Sequence, residues 1–425
     1  MLPLVSIKSN MRKDKFIPGK TKIQYAGAYY DDSEVEAVLN VLRHGWLGIG
    51  KKAREFEEGF GKFLGLKETI VTNSGSSANL LALAALGLKR NSEVITAATG
   101  FPTTFNPILQ NNLAPVVVDI EMGSYNISPE LIRKAVSKKT KAILLAHTLG
   151  NPCRMDEIMA IAARYNLRVI EDNCDALGSK LHGKLTGTFG DMGTSSFYVA
   201  HHITMGEGGA VYTDDLSLAQ KIRSLRDWGR SCVCKTCVVI NNRDARCNIR
   251  YGTSFRDLPL GYDNRYVYTS IGYNLKPTEM QCAFGLEQLK RLPLFIDKRN
   301  ENFNIFYAFF KNYEEFFILP AWDNLARPAW FAFPLTIRDN SPFKRKEIVG
   351  FLEKNNIETR LLFAGNITRH PAYKKTKIKV CGRLKNADKV MEDTFFLGVW
   401  PGLRAQELRF VMQALKRFLD KYAHA

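Results

Sequence analysis

No uninterrupted apolar run in this 425-residue chain approaches the roughly 20 residues that a membrane helix needs, which argues against a spanning protein. The opening stretch, Met1 to Lys15, lacks the apolar core and small-residue cleavage site of a secretory signal, so a cytoplasmic protein is expected. There is no internal repeat and no low-complexity tract. Cysteine is sparse, with eight residues, and in a reducing compartment these are not a disulfide framework. Acidic residues are in deficit: 42 Asp and Glu against 60 Lys and Arg leave a formal charge of +18. The excess is scattered. No dense basic run, zinc-finger spacing or RNA-binding signature accompanies it, so nucleic acid is not an expected partner. A basic surface does suit an anionic small substrate such as a nucleotide conjugate, or an acidic redox partner.

What is present is strand-helix alternation. β-forming runs at 69–72, 93–97, 115–119, 141–146 and 168–172 are interleaved with helical patterns at 76–86, 129–136 and 155–165. Such alternation predicts an α/β fold with a mostly parallel sheet covered on both faces. Residues 1–295 are expected to form this large domain, with an irregular, cysteine-rich insertion at 230–265. A helix at 277–295 is expected to close this domain, followed by a linker helix at 296–313 and a smaller α+β domain to residue 425.

The stretch from Ser195 to Thr213 organises the rest. A β-run at 195–199 leads to the pair His201-His202, then to the turn Gly206-Glu-Gly-Gly209, then to a second β-run at 210–213. Imidazole is the side chain whose ordinary pKa lets it take and return a proton near neutrality. Three further features precede it. Thr72-Asn-Ser-Gly-Ser-Ser-Ala-Asn79 joins a strand to a helix, where Ser74, Gly75 and Ser76 could close backbone N–H groups on an anion or simply cap the helix. Phe101 follows a strand and could stack on a flat ring or belong to the core. Asp172 ends a strand, where a carboxylate could pair with a pyridinium nitrogen or cap a turn.

Taken in order, Gly48-Ile-Gly50 with Phe56-Glu57, Ser74-Gly75, Glu171-Asp172, Ser196-Phe197, Gly206-Glu-Gly-Gly209, Gly272-Tyr-Asn274 and Gly365-Asn366 resemble the DegT/DnrJ/EryC1/StrS sugar-aminotransferase family from about Gln24 onward. The resemblance implies an aspartate-aminotransferase-like fold, pyridoxal-phosphate fold type I. It implies that Gly75, Ser76 and Ser196 bind the cofactor phosphate, that Phe101 stacks on the ring and that Asp172 pairs with its nitrogen. Asn274 would reach the cofactor of a neighbouring subunit, which implies a homodimer.

One departure bears on activity. The family's aminotransferases carry a lysine where this chain has His201, and imidazole forms no stable Schiff base, so ordinary transamination is blocked. The cofactor would be held without a covalent tether, as pyridoxamine 5'-phosphate (PMP). In this the chain resembles the 3-dehydrases of 3,6-dideoxyhexose synthesis, which serve O-antigen and lipopolysaccharide assembly. One branch of these is iron-free. The other holds a [2Fe–2S] cluster on four cysteines. Cys174, Cys232 and Cys234 match the iron branch. The fourth ligand is Cys247, displaced by a short insertion, or alternatively Cys237. Cys153, Cys282 and Cys381 read as buried apolar residues.

The resemblance thus implies a CDP-linked 4-keto-6-deoxyhexose substrate. His201 would remove a proton from the cofactor's C4′ carbon, the C3 hydroxyl would leave, and a flavin/iron-sulfur reductase would supply electrons. His202 is assigned a hydrogen-bonding or substrate role. Arg360, Asn366 and Arg369 either contact the nucleotide or are surface charge. Three alternatives stay open: an iron-free GDP-4-keto-6-deoxymannose 3-dehydratase that needs glutamate, a TDP-sugar 3-dehydrase, and an inactive family member serving as a binding module.

Overall fold

The computed structural model describes residues 15–235, 246–252, 254–255 and 257–422. Helix α1 (Asp32–His44) starts at a reciprocal cap: the Asp31 carboxylate accepts the Ser33 N–H at 2.9 Å, and Glu34 accepts the Asp31 N–H at 2.9 Å. It stops at Gly45, whose φ of +75° suits glycine. After α2 (Lys51–Leu64) come β1 (Glu68–Thr72), α3 (Gly75–Ala85), β2 (Glu93–Ala97), α4 (Pro102–Gln110), β3 (Ala114–Val118), α5 (Pro129–Ala135), β4 (Thr140–Ala146), α6 (Met155–Tyr165) and β5 (Arg168–Asp172). The short strands β6 (Lys180–Leu181) and β7 (Lys184–Leu185) precede β8 (Met192–Ser196), β9 (Gly209–Thr213), α7 (Leu216–Arg226) and the long α8 (Glu279–Phe310). The chain continues with β10 (Phe317–Ile318), β11 (Ala326–Arg327), β12 (Ala332–Ile337), α9 (Arg345–Lys354), β13 (Thr359–Leu361), β14 (Lys379–Val380), α10 (Lys385–Asp393), β15 (Thr394–Gly398) and α11 (Ala405–Leu419).

The main sheet has the order β1-β9-β8-β5-β4-β2-β3-β14. Every pairing in it is parallel except those of β9, which runs against β8 and β1. Alternation along β4 shows why both faces are covered. Ala142 and Leu144 join Ile70, Leu81, Val94 and Ile170 on one side, while Ile143 and Leu145 join Ile95, Val116 and Val169 on the other. Truncating any one of these leucines or isoleucines to alanine should cost about 2–5 kcal/mol.

A second sheet, β10-β12-β15-β13, is antiparallel throughout. Its core is strongly aromatic, and Phe303 and Trp330 stack in parallel with centroids 3.9 Å apart. The two sheets are interlocked, because β14 leaves the C-terminal part to pair with β3 at the edge of the main sheet.

The expected separate helices at 277–295 and 296–313 are one helix, α8, which runs through Pro293, so the expected division at residue 295 falls inside it. An interior proline costs about 3 kcal/mol. Burial of Leu292, Phe295, Phe303, Phe306 and Phe310 in two cores outweighs that cost. The strand expected at 195–199 is β8, which ends earlier, at Ser196, because the chain turns there to begin the loop 197–208. Among the described residues no helix is long and apolar enough to cross a membrane.

Candidate active site

The carboxyl ends of β2, β4, β5 and β8 face one crevice, the usual ligand position for such a sheet. Asp172 closes β5 there and is buried. Its Oδ2 accepts hydrogen bonds from Asn79 Nδ2 at 2.7 Å and Thr104 Oγ1 at 2.6 Å, and its Oδ1 accepts the Cys174 N–H at 3.1 Å. Thr194 fixes the Asn79 amide by donating to its Oδ1 at 2.6 Å. Three separate elements therefore aim one carboxylate.

Glu171 points to the opposite side of the strand, as pleating requires. Its oxygens accept the N–H groups of Gly187, Phe189 and Gly190, each at 2.7 Å, and lie 3.0 Å from His147 Nε2. His147 Nδ1 accepts the Cys153 N–H at 3.0 Å, which leaves the Nε2 proton for Glu171. This carboxylate ties the loop beneath the site to the strand that carries Asp172.

The reversed direction of β9 places the other parts. Gly209 pairs with Ser196 on one side and Thr72 on the other, which brings the β1–α3 turn against the end of β8. Ser74 caps α3, its Oγ accepting the Ser77 N–H at 3.1 Å. Gly75 packs so tightly that a Cβ there would lie 2.5 Å from Ser196 Cβ. Ser76, on the first turn of α3, is exposed. Gly75 and Ser196 are thus brought together, with Ser76 next along α3. Phe101 is not in the core: at the N-cap of α4 it is 54% exposed, and it makes an edge contact with Phe363, centroids 5.8 Å apart.

The two histidines occupy different environments. His202 is buried, and its Nε2 lies 2.9 Å from the Ala329 carbonyl, to which it donates. Burial and Arg299 hold it well below the usual imidazole pKa. It is a strut. His201 packs on Phe331 (5.3 Å) and Tyr198 (6.4 Å), and its Nδ1 is buried, 3.6 Å from Asp175 Oδ1. Burial, with Arg299 second, pushes its pKa down to about 3, so the imidazole of the unliganded site is neutral at working pH.

Arg299 of α8 was not apparent from the sequence. It is buried and donates to the carbonyls of Ala200 (3.0 Å), His201 (2.8 Å) and Phe331 (3.0 Å), which fixes the loop backbone. Asp175 was also missed. Burial, then Asp172, raises its carboxyl to about 8.

A pyridine ring with a phosphate arm fits these residues. A small-residue cradle at Gly75 opens against Ser196, Phe101 offers an unused aromatic face, and the Asp172 carboxylate is acceptor-only. Asn274 is exposed, on a bridge with Asp227 beside the cradle.

The cysteines fit a cluster less well. Cys232 and Cys234 approach to 3.9 Å between sulfurs. Cys174 is held apart, its thiol pushed well up by burial and then by Asp172. Among the described residues no three His, Cys, Asp or Glu side chains gather into a metal-holding group, so Cys174 and Cys247 do not join the pair. Cys237 lies outside the described residues. Cys153 and Cys282 are buried as expected, and Cys381 is partly so.

The fold is that of the type I pyridoxal-phosphate enzymes, with a histidine, His201, in the loop that follows the crevice-lining strand β8, and nucleotide-sugar 3-dehydratases are among the proteins the chain resembles. The chain belongs to the DegT/DnrJ/EryC1/StrS aminotransferase family, whose profile matches residues 29–416. It is 45% identical to the lipopolysaccharide biosynthesis protein RfbH of Salmonella typhimurium, over 95% of this chain and 93% of that one. It is 44% identical to the dTDP-4-dehydro-2,6-dideoxy-D-glucose 3-dehydratase of Saccharopolyspora spinosa, over 98% and 92%. Among solved structures, the E. coli GDP-4-keto-6-deoxy-D-mannose 3-dehydratase with bound hydrated PLP superposes with a TM-score of 0.82 at 32% identity, covering 93% of this chain and all of that one.

Proposed function

We propose that the chain removes the C3 hydroxyl of a nucleotide-linked 4-keto-6-deoxyhexose, the CDP-linked sugar of 3,6-dideoxyhexose and O-antigen synthesis, using PMP. The observation that carries this reading is His201: an imidazole beside Phe331 at the crevice, on a loop whose backbone Arg299 braces. The likeness to a lipopolysaccharide biosynthesis protein supports the pathway.

When bound, PMP supplies an amine for the C4 ketone and a ring that accepts an electron pair from the adjoining carbon. The chain's own groups do the rest. Gly75, Ser76 and Ser196 would hold the phosphate at the start of α3. Phe101 would cover one ring face, and Asp172 would pair with the ring nitrogen. His201 would take the proton of that adjoining carbon at Nε2, the nitrogen left when Nδ1 is buried, and would return it to the departing hydroxyl, which leaves as water. Phe331 and Tyr198 flank that imidazole.

The reading extends to a [2Fe–2S] centre on Cys174, Cys232, Cys234 and Cys247, or Cys237 in place of the last, with a flavin/iron-sulfur reductase as electron donor. The Cys232–Cys234 approach supports it, and no step above depends on it. A cytoplasmic homodimer, with Asn274 reaching the neighbouring subunit, completes the proposal. A second reading, a dTDP-linked substrate, is favoured by the 44% identity to a dTDP-sugar 3-dehydratase.

The deciding experiment incubates the PMP-loaded protein with CDP-, dTDP- and GDP-linked 4-keto-6-deoxyhexoses under a reducing system and reads the products by mass. Loss of the C3 oxygen from the CDP sugar is expected. Amino transfer to any of the three overturns the proposal. Iron and sulfide assays on anaerobically purified protein test the cluster separately.

A further inference from the structure

Three small-domain residues compete for a role toward the substrate, and their surroundings separate them. Asn366 is buried. It accepts from the Thr368 N–H at 3.1 Å and the Thr368 hydroxyl at 2.7 Å, and donates to Asp388 at 2.7 Å. Arg369 forks onto both oxygens of the same Asp388, at 3.0 and 2.6 Å. Both residues are committed to holding one turn.

Arg360, on β13, is different. Its guanidinium lies 4.2 Å above the Tyr25 ring, where Arg369 has no ring beneath it among the described residues; its Nη1 donates to the Thr359 carbonyl at 2.9 Å, and 44% of the side chain is exposed, against 61% for Arg369. It pairs with Glu358 Oε1 at 2.7 Å, and Lys22 lies 3.3 Å from that same oxygen. The two cations therefore share one carboxylate.

Its position is at the rim of the crevice. The Tyr25 ring packs on Phe396 at 6.0 Å, Phe396 on Phe331 at 6.3 Å, and Phe331 on His201 at 5.3 Å. The Tyr25 and Tyr198 phenols are near enough to interact electrostatically, and Tyr198 is exposed and adjoins His201. The rim thus has rings near the imidazole and a guanidinium further out. A hexose reacting at His201 would project its anomeric substituent along such a wall.

We propose that Arg360, seated on Tyr25, binds the diphosphate of the nucleotide-linked sugar. A planar guanidinium matches phosphate oxygens two at a time, and stacking on Tyr25 pre-sets its plane. The assignment rests on the nucleotide-sugar reading above. The same chemistry would serve the carboxylate of an amino acid such as glutamate, so the test has an arm for each.

Binding of CDP, GDP and dTDP, and separately of L-glutamate, is measured calorimetrically on the PMP-loaded wild type and on R360Q, R360K and R369Q. R360Q should bind the preferred nucleoside diphosphate at least about tenfold more weakly, the loss of a charge-assisted contact. R360K keeps a cation for Glu358 but not the fork. It should fall between R360Q and the wild type, and it carries the test if R360Q is unstable. R369Q should bind as the wild type does, and PMP affinity should be unchanged in all. In turnover, KM should rise in R360Q with kcat little changed. Undiminished nucleoside diphosphate binding by both Arg360 variants overturns the assignment, as does a loss confined to glutamate. A wild type that binds none of the three nucleotides overturns the nucleotide-sugar reading and this assignment with it.

Discussion

Gly75 and Ser196 come from distant parts of the chain, yet they meet so closely that a methyl group on the former would lie 2.5 Å from the Cβ of the latter and 3.0 Å from its Cα. Backbone cannot yield as a flexible side chain would. Gly75→Ala should push the β8–β9 hairpin away from α3, at a cost of about 1–3 kcal/mol. The displaced hairpin should also loosen the phosphate cradle. A drop in melting temperature together with weaker PMP binding, of about tenfold or more, is expected by calorimetry. Unchanged PMP affinity in a folded variant would remove Gly75 and Ser196 from the cofactor site.

His201 supports two opposed substitutions. His201→Asn keeps a polar, neutral side chain but cannot take the proton. Exchange of the cofactor's C4′ hydrogen with tritiated solvent should fall by at least about a hundredfold, in line with the usual worth of a positioned base. His201→Lys should restore an amine that can bond covalently to PLP. After borohydride, the variant should retain the cofactor mass on the polypeptide and the wild type should not. Covalent retention by the wild type would contradict an untethered cofactor.

The parts of this arrangement that were legible in the sequence are those carried by local pattern. Strands 93–97 and 168–172 and helix 155–165 coincide with their observed bounds, because each has a local apolar pattern between polar or turn-forming neighbours. Helix α4 was not recognised: Pro102, Pro107 and two threonines argue against a helix, and packing against α3 decides otherwise. At the site, Gly75, Asp172, Ser196 and His201 stood out by motif. Asn79, Thr104 and Thr194, which aim Asp172, did not, because tertiary pairing leaves no local trace. Arg299 did leave one. It occupies the same four-residue spacing as Phe295 and Phe303, and a charge on an apolar helical stripe points to buried partners.

Glu171 offers a test of how the strand end is held. Its four donors need an acceptor on each oxygen, so Glu171→Gln turns an N–H₂ toward either the Phe189 and Gly190 amides or the Gly187 amide and His147. Two buried donors lose their partner whichever way the amide sits. Urea unfolding should show a loss of about 2–4 kcal/mol. Because Asp172 is the next residue, PMP affinity should fall as well. A variant as stable as the wild type would mean that the loop finds other acceptors.

The buried histidines should set the acid limit of stability. His202 is held neutral in the fold, its pKa depressed by burial and Arg299, whereas the unfolded chain takes up a proton near pH 6.5. Below that pH the unfolded state binds more protons than the folded one, so stability is full above about pH 6.5 and falls as the pH drops. His201, with a folded pKa near 3, adds a slope of the same sign between about 6.5 and 3. His202→Gln keeps an N–H for the Ala329 carbonyl but removes the titrating ring. Its melting temperature at pH 5 relative to pH 8 should therefore fall less than that of the wild type. An equal fall would place the acid sensitivity in other groups.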